Sequence, residues 1–151
     1  EKSHTHRHLT EFWQLDVEMS FINGIDDIIR LQERLLVHIL RQIKKECKTE
    51  LNLLGKNINV PRLPFPQITY FDACKLLKVT PTTDIGTELE RKLAKIIKSK
   101  FKSDAFFLTN FPDKFTKFYA MHDGNIGRYV DLIYNNKKIS VVVNESITMK
   151  N

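Results

Sequence analysis

Five titratable side chains near the start of the chain have types and spacing that could do chemistry. His4, His6 and His8 stand at alternate positions, and Asp16 and Glu18 follow at the same spacing. Alternate positions share a face when the backbone is extended. Imidazole nitrogens on one strand face can supply two ligands of a zinc ion, but no cysteine or acid is spaced to complete a four-ligand shell. The competing reading is a polar loop with one histidine aimed at an anionic ligand, as loops at a pocket edge often provide. At about 3.3 Å per strand residue, Asp16 lies far along the face from His8, and a ligand touching both is larger than one amino acid. Two solvated acids on an exposed sheet face are the plain alternative. The sequence has no glycine-rich phosphate loop, and no Ser-His-Asp or Cys-His pairing can be argued from it.

The elements that must position these groups follow from periodicity. Over residues 8–22, Leu9, Trp13, Leu15, Val17, Met19 and Phe21 fall on one side, and His8, Thr10, Gln14, Asp16, Glu18 and Ser20 on the other. This alternation predicts a long strand with a buried apolar face and a polar face lining a concave site; Phe12 and Ile22 break the pattern. The run "NGIDDIIRLQERLLVHILRQIKKEC" predicts a helix, with Asp26 and Asp27 in its first turn and Lys44 and Lys45 near its end. Residues 48–66, with Gly55, Pro61, Pro64 and Pro66, predict a loop. Two further helices are predicted over "TYFDACKLL", capped by Thr69 with Asp72, and "TELERKLAKIIKSKF", capped by Thr87 with Glu90. Strands are predicted at Ala105–Leu108, Phe115–Ala120, Tyr129–Tyr134 and, after a turn at Asn135–Asn136, Lys138–Val143. The fold class is α+β, an antiparallel sheet flanked by helices inserted between its strands.

The 151 residues suit a single domain, 1–151, with its own core. No apolar run approaches the roughly 20 residues of a bilayer span, and no leader pattern opens the chain. Cys47 and Cys74 are far apart and read as buried thiols of a reducing cytoplasm. The net charge of +6 fits a polyanion partner without requiring one. Arg91, Lys95, Lys98 and Lys102 share a helix face, which reads first as a solvated face and second as an RNA contact.

The residues then say more than their spacing. "EKSHTHRHLTEFWQLDVEMSFI", with R-H-L-x-E-F followed by D-x-E-M-x-F, closely resembles the second signature motif of class II aminoacyl-tRNA synthetases, in the aspartyl- and asparaginyl-tRNA synthetase form of subclass IIb. "PFPQITYFDACKLL", the stretch from "TELERKLAKII" to "KFYAMHD", and "YVDLIYNNKKI" resemble later segments of the same catalytic domain. The resemblance implies ATP-dependent activation of aspartate or asparagine and its transfer to tRNA, with ATP and Mg²⁺ as cofactors. It implies that Glu1 contacts the adenine, that His8 meets the ATP phosphates beside Arg7, and that Asp16 belongs to the amino-acid pocket.

The departures are specific. Lys138 stands where the resemblance expects a magnesium-binding glutamate, Val141 replaces a serine that assists there, and Glu145 falls about where an arginine holds the substrate side chain. Mg²⁺ needs oxygen ligands, so an ammonium at position 138 counts against the metal site. Thr116 and Lys117 displace a basic residue ahead of Phe118-Tyr119. The family's first and third motifs have no counterpart in residues 1–151, so the expectation is a partial catalytic core or truncated paralogue, weakly active or inactive alone. The alternative is a non-catalytic module binding nucleotide, amino acid, tRNA or a synthetase. Without the first motif, a homodimer is expected through the long helix or the Lys138–Val143 edge.

Overall fold

A computed structural model of the protein describes residues 11, 13 and 15–143. Helix α1 (Ile25–Glu46) carries Asp26 and Asp27 in its first turn and Lys44 and Lys45 in its last, matching the helix dipole at both ends. Its entry is tied by the Asn23 N–H donating to Asp27 Oδ2 at 2.8 Å. A short helix α2 (Lys48–Leu53) follows. This corrects the expected loop over 48–66: "KTELNL" is a good helix-forming run that ends at Gly55, whose φ of 59° is left-handed. The remaining loop contains a cis Leu63–Pro64 bond.

Strand β1 (Gln67–Thr69) leads directly into α3 (Tyr70–Leu77). Thr69 caps α3 as expected. Its Oγ1 accepts the Asp72 N–H at 3.1 Å and its hydroxyl donates to Asp72 Oδ2 at 2.8 Å. Helix α4 (Thr87–Phe101) differs from expectation at its start. Gly86, not Thr87, is the cap residue, and no side chain caps the helix. The Glu90 N–H bonds to the Gly86 carbonyl at 2.9 Å, so Thr87 is already the first helical residue.

Strands β2 (Ala105–Thr109), β6 (Tyr129–Tyr134) and β7 (Lys137–Val143) complete a four-stranded sheet in the order β1-β2-β6-β7. The β1–β2 pair is parallel, and β2–β6 and β6–β7 are antiparallel. Strands β6 and β7 are joined through Asn135 and Asn136, both left-handed (φ 49° and 68°), which suits the twist of a two-residue hairpin turn. A separate small sheet, β3-β5-β4, joins Phe111–Pro112, Ile126–Gly127 and His122–Asp123. The expected strand Phe115–Ala120 is absent: a 3₁₀ turn at Asp113–Phe115 and a further turn occupy that stretch. Thr116 Oγ1 bonds back to the Asp113 carbonyl at 2.8 Å, satisfying the segment locally rather than through a ladder.

The main sheet is covered on both faces. On one, Ile29, Leu36, Val37 and Leu40 of α1 meet Ala105, Phe107, Val130 and Leu132. On the other, Ala73 and Cys74 of α3 and Leu93, Ala94 and Ile97 of α4 meet Phe106, Leu108, Tyr129 and Ile133. This explains why "AFFLT" is apolar without alternation: every residue of β2 is buried.

The long strand expected over 8–22 is not found in its described part. Residues 15–20 join no ladder, and Trp13, Leu15, Val17 and Met19 are exposed rather than buried. Alternation records what a segment could bury. It produces a strand only where a neighbouring edge accepts its backbone and a layer covers its apolar side, and among the described residues no strand lies beside this one.

One polar contact ties α1 to the loop ahead of β1. Glu33 is buried and accepts the Phe65 N–H at 2.7 Å. Glu33→Ala leaves that buried amide unsatisfied and should cost about 2 kcal/mol in urea unfolding. A variant within error of wild type would show that the amide finds another acceptor.

Candidate functional site

The residues that combine unusual burial with charge lie where β6 and β7 meet α4. In "YVDLIY", Tyr129, Asp131 and Ile133 alternate toward the α3/α4 side, and Asp131 is the one acid in an otherwise apolar buried run. The β6–β7 register pairs Leu132 with Ser140 but Ile133 with Lys138, so Ile139 forms a bulge. The extra residue re-aims the strand, as bulges do, and leaves Lys138 opposite Ile133 on the Asp131 side of the ladder. The Lys138 ammonium donates to Asp131 Oδ2 at 3.3 Å. The aspartate side chain is 6% exposed and the lysine 36% exposed, so the pair has a buried acid and a partly solvated base.

Burial pushes the Asp131 carboxyl up to about 6, against an ordinary value of 3.8. Lys138 opposes that rise, the buried Glu90 of α4 adds to it by like-charge repulsion, and Tyr129 opposes it by hydrogen bonding. The second oxygen, Oδ1, is buried with no hydrogen-bond partner. Tyr129 is itself held protonated, first by burial and then by the adjacent Asp131 charge.

The sign of the resulting pH dependence is fixed. The folded carboxyl keeps its proton to higher pH than the unfolded one, so folding loses stability as pH rises from about 4 to about 6. The gap corresponds to about 3 kcal/mol, fully expressed above pH 6. Asp131→Asn should match wild type near pH 4 and be more stable by about 2 kcal/mol at pH 7, measured by chemical unfolding at both pH values. A variant less stable than wild type at pH 7 would mean that the ion pair outweighs the burial cost.

The donor set does not fit magnesium. The position expected to bring a carboxylate brings an ammonium, which Asp131 holds. Among the described residues, no group of three or more His, Cys, Asp or Glu could hold a metal ion.

The anticipated site residues fall elsewhere. Glu1, Arg7 and His8, together with His4 and His6, lie outside the described residues. Asp16 and Glu18 are described; both are exposed, in the segment preceding α1, and not on a strand face. That segment borders an open groove of about 650 Å³ lined by Met19, Phe21, Asp27, Arg30, Glu33 and Arg34. Its charges are largely used internally: Arg30 lies 3.8 Å from Asp27, and Glu33 holds the Phe65 amide. Asp113, Thr116 and His122 form a Thr-His-Asp grouping that spacing did not reveal. A single ring nitrogen, Nε2, meets both Asp113 Oδ1 (2.7 Å) and Thr116 Oγ1 (3.2 Å), so the proton relay of a catalytic triad is not assembled. The lone acid in "YVDLIY" was the available signal for Asp131; its partner Glu90 comes from a distant helix and left none.

Comparison with known proteins gives a consistent answer. A family model described as tRNA synthetases class II (D, K and N) matches residues 1–145. The aspartate–tRNA(Asp/Asn) ligase of Methanopyrus kandleri is 35% identical over 146 residues, covering 93% of this chain and 33% of the relative. Among solved structures, the aspartyl-tRNA synthetase of Entamoeba histolytica superposes with a TM-score of 0.82 at 31% identity, over 92% of this chain and 31% of that one. The asparaginyl-tRNA synthetase of Pyrococcus horikoshii, complexed with asparaginyl-adenylate, gives 0.74 at 26% identity, over 89% and 32%. The chain thus spans about a third of the length of the curated relatives it matches.

Proposed function

The chain belongs to the class II tRNA synthetases of the D, K and N group, and from that premise we propose that it is an aspartyl- or asparaginyl-tRNA synthetase-related protein, weakly active or inactive in Mg²⁺-dependent adenylate formation. Membership implies ATP-dependent activation of aspartate or asparagine followed by transfer to tRNA in the cytoplasm. In that scheme Glu1 faces the adenine, Arg7 and His8 the phosphates, and Asp16 the amino-acid ammonium. Each pairing is chemically sound: cationic donors suit phosphate and a carboxylate suits an ammonium.

The observation that carries the loss of activity is the Lys138–Asp131 pair. Catalysis of this kind depends on positioning and on neutralising charge around the phosphates. Here the cation at position 138 is fixed to the protein and already partnered by an acid, so it supplies little of either. ATP–pyrophosphate exchange with aspartate and with asparagine should sit at background. Clear exchange with either amino acid would overturn the reading.

A second reading, a non-catalytic module that works by association, is favoured by a separate observation. Strand β7 is an outer strand of the sheet among the described residues, and "KKISVVV" carries neither acid nor proline. Lysines stand only at its first two positions, so a twofold antiparallel pairing sets the lysine end of one copy against the valine end of the other. Light scattering should give a homodimer, and a monomer independent of concentration would contradict it.

A further inference from the structure

The outer face of α4 is a row of cations that neither the core nor the β6–β7 site uses. Arg91, Lys95, Lys98 and Lys102 follow one another at steps of four, three and four residues, and all are exposed. At 1.5 Å of rise per residue the row is about 16 Å long. Some charge nearby is spent: Lys98 meets Asp104 at 2.6 Å, and the adjacent Lys92 meets Glu88 at 2.8 Å. Arg91, Lys95 and Lys102 make no ion pair with any described residue. The opposite side of the helix, Leu93, Ala94 and Ile97, is locked in the core, so the row is held on a rigid support.

We propose that this face binds the phosphate backbone of RNA. The row spans four or five phosphates at about 3.4 Å of axis per phosphate on one strand. Two alternatives fit less well. A membrane-surface helix borders its cations with exposed apolar side chains that enter the lipid, and here the apolar side of α4 faces the sheet. A protein partner needs buried aromatic or arginine anchors seated in pockets, and this row is a flat run of exposed basic tips. The choice of RNA rests on the synthetase reading; the phosphate contact itself is separate from adenylate chemistry, so background pyrophosphate exchange leaves it standing.

The test is fluorescence anisotropy of a labelled RNA hairpin of about 20 nucleotides, titrated with the full chain at several salt concentrations. Binding should weaken steeply with salt. The triple variant Arg91→Glu, Lys95→Glu, Lys102→Glu should bind at least about tenfold more weakly, with a log–log salt slope reduced by about 2 to 3. A control with the same change in net charge away from α4 (Arg41→Glu, Lys56→Glu, Arg62→Glu, all exposed) should stay within about twofold of wild type. Circular dichroism confirms that both variants fold. An equal loss in the control would show binding by net charge alone and overturn the proposal. Absence of RNA binding at low salt would do the same, as would equal or tighter binding to poly-glutamate or to phosphatidylserine-containing vesicles.

Discussion

Replacing Lys138 by methionine should destabilise the protein by about 2 kcal/mol at pH 7 and by almost nothing near pH 4.5. Methionine keeps most of the volume and removes the charge. At pH 7 it leaves Asp131, 4% exposed, beside Glu90 without the ammonium that offsets its burial. The figure is set below that for a fully buried pair because the lysine side chain is 36% exposed and partly screened by water. Below the folded-state value of about 6, Asp131 carries its own proton and no longer needs the lysine, so the two proteins converge. Urea unfolding of both proteins across this range measures the difference directly. A cost independent of pH would show that Lys138 acts through packing of its hydrocarbon stem.

A larger loss is expected in the core. Phe107 is fully buried on β2, between β1 and β6, with its ring stacked on Phe65 at a centroid distance of 5.9 Å. Phe107→Ala should cost about 4 kcal/mol, the removed transfer energy plus the cavity left in a sheet covered on both faces. Phe118→Ala, at a position 94% exposed, should change stability by less than about 0.5 kcal/mol. Similar losses at the two positions would mean that Phe118 is covered in solution.

Much of this fold was legible because local chemistry and tertiary demand agree. The apolar periodicity and end charges of α1, the Thr69–Asp72 cap of α3 and the asparagine turn between β6 and β7 each satisfy their own backbone groups with side chains nearby in sequence. The failures share a cause too. Trp13, Leu15, Val17 and Met19 alternate as a strand does, but pairing needs a neighbour that no periodicity can specify. "FTKFYA" reads as a strand by its aromatics, yet Thr116 turns the chain back on Asp113. Gly86 and Thr87 compete for one cap position, and the glycine, by its extended conformation, takes it.

The site divides in the same way. The resemblance located position 138 and the change of charge there. It did not show that the ammonium is captured, because Asp131 is brought to it by a bulge and Glu90 by a helix some forty residues earlier in the chain. A lysine free in solvent could have served as a counter-charge for phosphate. One held 3.3 Å from a buried carboxylate is largely committed.

The central claim is that a lysine–aspartate pair stands where a magnesium ligand is expected. Amide spectra of the ¹⁵N-labelled protein, recorded with ATP while Mn²⁺ replaces Mg²⁺, test it most directly, because a bound paramagnetic ion broadens signals around it. The account predicts that the Asp131 and Lys138 amides keep their intensity as Mn²⁺ is added. Selective loss of those two signals at low Mn²⁺ would place a metal ion in the β6–β7 site and contradict it.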